Sequence, residues 1–165
     1  MADRVALDAN ILIVLAFGAI DITSLGRKRR VKEYMPEDYQ AAINFISGFK
    51  QVVVTPNVVT ECSDLLSDDD FREKEWLKLF LQPRDSLRVE EYVPSYKASL
   101  LDQYSYLGIA DCSLLSIVDD ETVLLTADSK LYVAALNMNP NCVNFRLFGC
   151  FCGLLPNTGQ VNNPR

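Results

Sequence analysis

Val5-Ala6-Leu7-Asp8-Ala9-Asn10 runs straight into Ile11-Leu12-Ile13-Val14-Leu15-Ala16-Phe17-Gly18-Ala19-Ile20. Residues 5–7 read as a short buried strand, and residues 11–20 as the helix that follows it. A lone carboxylate, Asp8, stands at the junction, between two apolar segments. The run 11–20 is too short to cross a bilayer, which takes roughly 20 apolar residues. Asp3 and Asp8 precede it where a signal peptide would carry positive charge. The expectation is a buried helix in a soluble, cytoplasmic protein that does not engage membranes.

The same alternation continues outward. Residues 23–35 are polar and include Arg27-Lys28-Arg29-Arg30-Val31-Lys32. Pro36 opens a helix to about residue 49, with Tyr39, Ile43 and Ile46 on one face. Residues 51–55 are β-branched and read as a second strand. Residues 56–66 form a helix striped by Val58, Val59, Cys62, Leu65 and Leu66. The next helix, 68–81, is expected to turn Phe71, Trp76, Leu79 and Phe80 inward. Residues 86–93 read as a short extended piece before a helix starting near Pro94. Residues 109–118 are apolar almost all round, the mark of a buried helix. A strand at 122–126, a helix at 129–138 and a strand at 142–145 complete the pattern. Strands alternating with helices imply βαβ units and a parallel sheet covered on both faces. There is no internal repeat or linker. One α/β domain over 1–155 is expected, followed by a frayed Asn-, Pro- and Gly-containing tail at 156–165.

Composition removes several chemistries. The chain of 165 residues contains no histidine, which excludes His-based triads, His-ligated zinc and imidazole acid–base catalysis. Its five cysteines are odd in number and include no CxxC pair, so they do not read as a disulfide framework. Cys62 and Cys112 fall in apolar helical sequence and read as small core residues. The net charge of −6 is not that of a basic nucleic-acid binder, although bound divalent cations would invert the field locally. No Walker A loop or GxGxxG is present.

Four acids remain to be explained: Asp8 in VALDAN, Glu61 in TPNVVTEC, Asp111 in GIADCSLL and Asp128 in LLTADSKL. Each lies beside apolar sequence, and buried carboxylates are costly unless paired, hydrogen-bonded or bound to metal. In open parallel sheets, ligands bind beyond the carboxyl ends of the strands. Asp8 and Asp128 follow strands, Glu61 sits in the second turn of a helix after a strand, and Asp111 opens the apolar helix. Gathered at one rim, the four would repel and raise one another's pKa. Such a set suits hard divalent cations, Mg²⁺ or Mn²⁺, better than zinc. A pair of such ions could activate water and stabilise a leaving oxygen on a phosphodiester. Each acid also has a plain structural reading. Asp128 and Asp111 suit helix N-termini, Asp8 a turn, and Glu61 a solvated helix edge.

Together these residues resemble the PIN-domain family of metal-dependent ribonucleases. The likeness runs from Asp8-Ala9-Asn10, through Glu61 and Gly108-Ile109-Ala110-Asp111, to Thr126-Ala127-Asp128, and spans roughly 5–148. It implies a three-layer α/β/α sandwich with a central parallel sheet and an endoribonuclease using Mg²⁺ or Mn²⁺. It also implies that Asp8, Glu61 and Asp111 are the main catalytic and metal-binding acids and Asp128 a fourth. Asn10 and Thr126 would orient those ligands or a water. Bacterial and archaeal members are often toxins of VapBC-type pairs, commonly homodimeric and held inactive by an antitoxin. This chain is longer between Asp8 and Glu61 than a typical toxin, and the added length contains the basic run.

Arg27, Lys28, Arg29, Arg30 and Lys32 are candidate contacts for an RNA backbone, with a solvated loop as the plain alternative. The acidic stretch of Asp64, Asp68–Asp70, Glu73 and Glu75 reads most simply as a solvated helix start. Haloacid-dehalogenase-like phosphatases and receiver domains also begin with a strand-end acid. Neither explains Glu61 together with Asp111. The competing class is a catalytically weak PIN-like module that binds RNA or protein.

Overall fold

Five consecutive residues of the strand Thr122–Thr126 are buried, as are Val5–Leu7 of the strand Arg4–Leu7. Strands buried without alternation must be covered on both faces, the condition of a parallel sheet between helical layers. The computed structural model, which describes residues 2–82 and 86–147, has that arrangement. Its strands are β1 (Arg4–Leu7), β2 (Gln51–Val54), β3 (Arg88–Glu90), β4 (Thr122–Thr126) and β5 (Val143–Asn144). All pair in parallel, in the order β3-β2-β1-β4-β5. Helices flank the sheet, giving a three-layer α/β/α sandwich.

The chain leaves β1 toward β2 and β3 on one side, then returns to place β4 and β5 on the other. The order therefore reverses between β1 and β4, and in open α/β sheets ligands bind at such a reversal, outside the carboxyl ends of the strands. Asp8 immediately follows β1, and Asp128 lies two residues beyond β4.

The helices are α1 (Ala9–Ile20), α2 (Pro36–Ile46), α3 (Pro56–Leu65), α4 (Phe71–Phe80), α5 (Ser95–Ala98), α6 (Tyr104–Leu107), α7 (Ile109–Leu115) and α8 (Ser129–Leu136). α1 is buried over nearly its whole length and packs on α2, α3 and α4. At 12 residues it spans about 18 Å. No helix among the described residues is long and apolar enough to cross a membrane. α7 begins at Gly108, whose φ of 91° is a conformation L side chains rarely adopt. That glycine lets the one-turn α6 break and restart as the helix carrying Asp111.

Several local expectations need correction. In α4, Phe71 (66% exposed) and Leu79 (49%) face outward, whereas Leu77 and Glu73 are buried and Trp76 and Phe80 only partly so. In α2, Ala42 is the buried residue and Ile43 is exposed. The buried helix closes at Leu115 rather than 118, the last strand is two residues long, and α6 was not anticipated. The basic run contains a 3-10 turn, Arg29–Val31. Cys150, Cys152 and the proposed tail at 156–165 lie outside the described residues.

Candidate metal centre

Asp8 is 3% exposed and caps the N-terminus of α1, its Oδ1 accepting the Ile11 N–H at 2.8 Å. Its Oδ2 accepts the Thr126 hydroxyl and, at 2.9 Å, the Ala127 N–H. A carboxylate offers about four lone-pair sites. Three are used here, leaving one on Oδ1. Thr126, fully buried, also accepts the Asp128 N–H at 2.9 Å, so one hydroxyl ties the end of β4 to both strand-end acids. Asp128 caps α8 through Oδ1, which accepts Lys130 N–H at 2.7 Å and Leu131 N–H at 2.9 Å. Among the described residues its Oδ2 accepts no hydrogen bond. The capping reading is therefore correct for Asp128, while Asp8, expected as a turn residue, caps α1; capping leaves each with acceptor capacity to spare.

Glu61 comes from the second turn of α3, and Asp111 from the first turn of α7, which packs against α3. The two line a common groove of ≈ 480 Å³ with Asn57, Thr60, Asp64, Leu65, Leu107, Ile109 and Ala110. Of the four acids Asp8 is buried, Asp111 and Asp128 are half-buried, and Glu61 is exposed at the edge of its helix although part of its carboxyl surroundings is desolvated. Burial pushes Asp111 up to about 7, helped by the charges of Glu61, Asp128 and Asp8. Glu61 is raised by burial, then by Asp8 and Asp128. Burial also raises Asp8 against its three hydrogen bonds, with a further push from Asp128. None of the charges acting on Glu61 or Asp111 is positive.

The donor set therefore fits a hard divalent cation. It is all oxygen and has lone pairs left over, and among the described residues no Lys or Arg charge is a cause of the shifts of Asp8, Glu61 or Asp111. The carboxylates are nevertheless not drawn together. Among the described residues, no three Cys, Asp or Glu side chains are grouped closely enough to hold an ion as they stand. The sulfur beside Glu61 is no competitor. Burial, with Glu61 and Asp8 adding, pushes the Cys62 thiol up to about 12 and keeps it protonated.

Asn10 does not join the site as expected. It is exposed on α1 and makes no side-chain hydrogen bond among the described residues; Thr126 and backbone N–H groups hold Asp8 instead. Three contributors were not anticipated. Tyr34 is buried and pushed up to about 12, first by burial and then by the charge of Asp8. The others are Thr55, which caps α3, and Ser113, which has no local sequence signal at all.

The basic run divides in space. Lys28 places its ammonium 3.4 Å from Asp70 Oδ1, 3.3 Å from Glu73 Oε1 and 4.9 Å from the centre of the Phe17 ring. It is committed to those partners, and the acidic stretch is accordingly not all solvated: Asp70 and Glu73 are buried. Arg29 and Arg30 line a second groove of ≈ 450 Å³, and Leu65 belongs to both grooves. Arg27 and Lys32 are exposed and line neither. No family model, curated protein or solved structure matches the chain.

Proposed function

We propose that this protein is a Mg²⁺- or Mn²⁺-dependent endoribonuclease whose site is the acidic groove at the sheet's reversal point. The observation that carries the reading is that Glu61 and Asp111 line one groove and feel only negative charge, Asp111 from Glu61, Asp128 and Asp8, and Glu61 from Asp8 and Asp128. Leaving charge uncompensated at the one place where the topology favours a ligand is costly without a use for it. RNA, rather than another phosphodiester, rests on the likeness to PIN-domain ribonucleases.

Asp8 through its spare Oδ1 lone pair, Asp128 through Oδ2, Glu61 and Asp111 would hold the cation. Bound there, Mg²⁺ or Mn²⁺ supplies Lewis-acid activation of water and of the phosphodiester. Thr126 fixes the Asp8 carboxylate and the start of α8 relative to each other. Burial and neighbouring charge raise Asp111 to about 7, so holding a cation there would release its proton near neutrality. The groove between α3 and α7 seats the nucleotide at the scissile bond, and Arg29 and Arg30 meet the backbone where the second groove begins at Leu65.

The test is cleavage of structured and single-stranded RNA by purified protein in EDTA, Mg²⁺ or Mn²⁺. Asn keeps the oxygen that caps α1 but turns an NH2 toward the Ala127 N–H, so folding of Asp8→Asn is checked by its melting curve. Asp8→Asn and Asp111→Asn should each lower metal-dependent cleavage about 10²- to 10³-fold, the equivalent of several kcal/mol of transition-state stabilisation. Cleavage that survives both changes would refute the site. One observation favours a second reading, that of a binding module with weak or no cleavage: the carboxylates are not gathered on a point. RNA affinity without metal-stimulated cutting would select it.

A further inference from the structure

Two buried hydroxyls join the helices that carry Glu61 and Asp111. Thr55 and Ser113 are each 0% exposed, and their oxygens lie 2.6 Å apart. The protons can be assigned. Ser113 Oγ lies 2.6 Å from the Ala110 carbonyl, which can only accept, so the Ser113 hydrogen is committed there. Thr55 must then donate to Ser113, while its own oxygen accepts the Val58 N–H at 3.4 Å. The result is one directional chain, from Val58 N–H through Thr55 and Ser113 to the Ala110 carbonyl. It starts three residues before Glu61 and ends one residue before Asp111.

Within its own helix Thr55 uses only its acceptor oxygen, to cap α3, and Ser113 only its hydrogen, to the preceding turn of α7. That leaves the Thr55 hydrogen and the Ser113 oxygen to meet across the helices. The bond between them is thus a tie between helices in a region where apolar side chains of the same size would pack without any polar cost. Its position gives it a use, since it joins α3 and α7, the helices that carry Glu61 and Asp111 into the acidic groove.

We propose that Thr55 and Ser113 form a hydroxyl clasp that fixes the separation of Glu61 from Asp111, and thereby sets the groove's affinity for its divalent cation. The clasp rests on the metal-site reading above and makes Thr55 and Ser113 positioning residues rather than ligands. Groups that orient metal ligands without touching the ion commonly change affinity about 10- to 100-fold when removed.

The experiment is calorimetric titration of Mn²⁺ into the metal-free protein at pH 8, beside thermal melting of each variant. Thr55→Val and Ser113→Ala should each weaken Mn²⁺ binding about 10- to 100-fold. The double variant should be no weaker than the worse single one, because either change breaks the same chain. Thr55→Ser, which keeps the hydroxyl, should restore wild-type affinity. Val123→Ala, a core truncation near the start of β4, should lower the melting temperature and leave Mn²⁺ affinity unchanged. Wild-type affinity in Thr55→Val, an equal loss in Thr55→Ser, or an equal loss in Val123→Ala would each overturn the clasp while leaving the metal site standing. Failure of the wild type to bind Mn²⁺, or undiminished binding by Asp111→Asn, would overturn the site itself and the clasp with it.

Discussion

The molecule buries carboxylates in two places and treats them in opposite ways. Beside α4, Asp70 loses solvation, which raises its pKa, but hydrogen bonds from Ser67 and the charge and hydrogen bond of Lys28 outweigh that and hold it below the usual range. At the sheet's reversal point, burial is reinforced by three further negative charges, and Asp111 rises to about 7. Asp8 is as buried as Asp70 and Glu73, whereas Asp111 and Asp128 are half-buried and Glu61 is exposed, so desolvation acts in both regions and the partner is the sharper difference. A buried acid with its cation in the same chain is a fastening, which here pins the basic segment and α4 together across Phe17. Buried acids without one carry an unmet demand for positive charge from outside. Local sequence does not reveal the fastening, since Asp70 and Glu73 lie in the charged stretch 68–75 and are buried all the same.

Breaking the fastening should produce the largest change in stability. Lys28→Met strands Asp70 and Glu73 without a cation. Removing one partner of a buried pair costs about 3–5 kcal/mol, and Lys28 is half exposed, so about 2 kcal/mol is expected. For a chain of this size that lowers the melting temperature by about 4–8 °C. Adding Glu73→Gln to Lys28→Met should recover part of the loss. Melting curves for the single and double variants would decide this, and an unchanged melting temperature in Lys28→Met would remove the contrast between the regions.

The opposite sign is expected at the reversal point. Asp111 has its folded pKa raised above the unfolded value, so its contribution to stability is full below about 4 and is lost as pH rises through about 7. In EDTA, Asp111→Asn should therefore stabilise the protein at pH 8, by about 1 kcal/mol after discounting for solvent at the open groove. At pH 4 it should make little difference. Denaturant titrations at the two pH values give the comparison, and a destabilised Asp111→Asn at pH 8 would mean that the carboxylate is compensated after all.

The smallest effect sharpens the border between the regions. Arg29 and Arg30 line the second groove, while Arg27 and Lys32 do not. Replacing the first pair by Ser should lower the slope of log affinity against log salt for single-stranded RNA by about 1.4, or about 0.7 for each phosphate no longer neutralised. Replacing the second pair should lower it by less. Wild-type slopes in both double variants would leave Arg27, Arg29, Arg30 and Lys32 as solvated surface.

How much of this was legible in the sequence follows from where the information lies. Strands β1, β2 and β4 are continuous apolar runs, and each strand-end acid stands where a run stops, so the sheet and its acidic rim could be read directly. β3 could not be read with the same ease. It is an edge strand with Arg88 and Glu90 exposed around Val89, and its charge alternation resembles a loop. The inner face of α4 was misread because counting apolar residues favoured Phe71 and Leu79. Glu73 is buried through Lys28, 45 residues away, and no local pattern carries that pairing. Ser113 was invisible for the same reason. A serine in an apolar helix has no meaning until Thr55 is packed against it.

Under the proposed function the reversal-point acids take up a cation and the α4 acids do not. Thermal unfolding at pH 8 in EDTA and in excess Mn²⁺, for wild type, Asp111→Asn and Asp70→Asn, tests it most directly. At about 100 times the dissociation constant, a bound ion stabilises by about 2.7 kcal/mol, which corresponds to a rise of about 5–10 °C. The account predicts that rise in the wild type, its near loss in Asp111→Asn, and its retention in Asp70→Asn from a lower starting temperature. No Mn²⁺-induced rise in the wild type, or the same rise in Asp111→Asn, would contradict it.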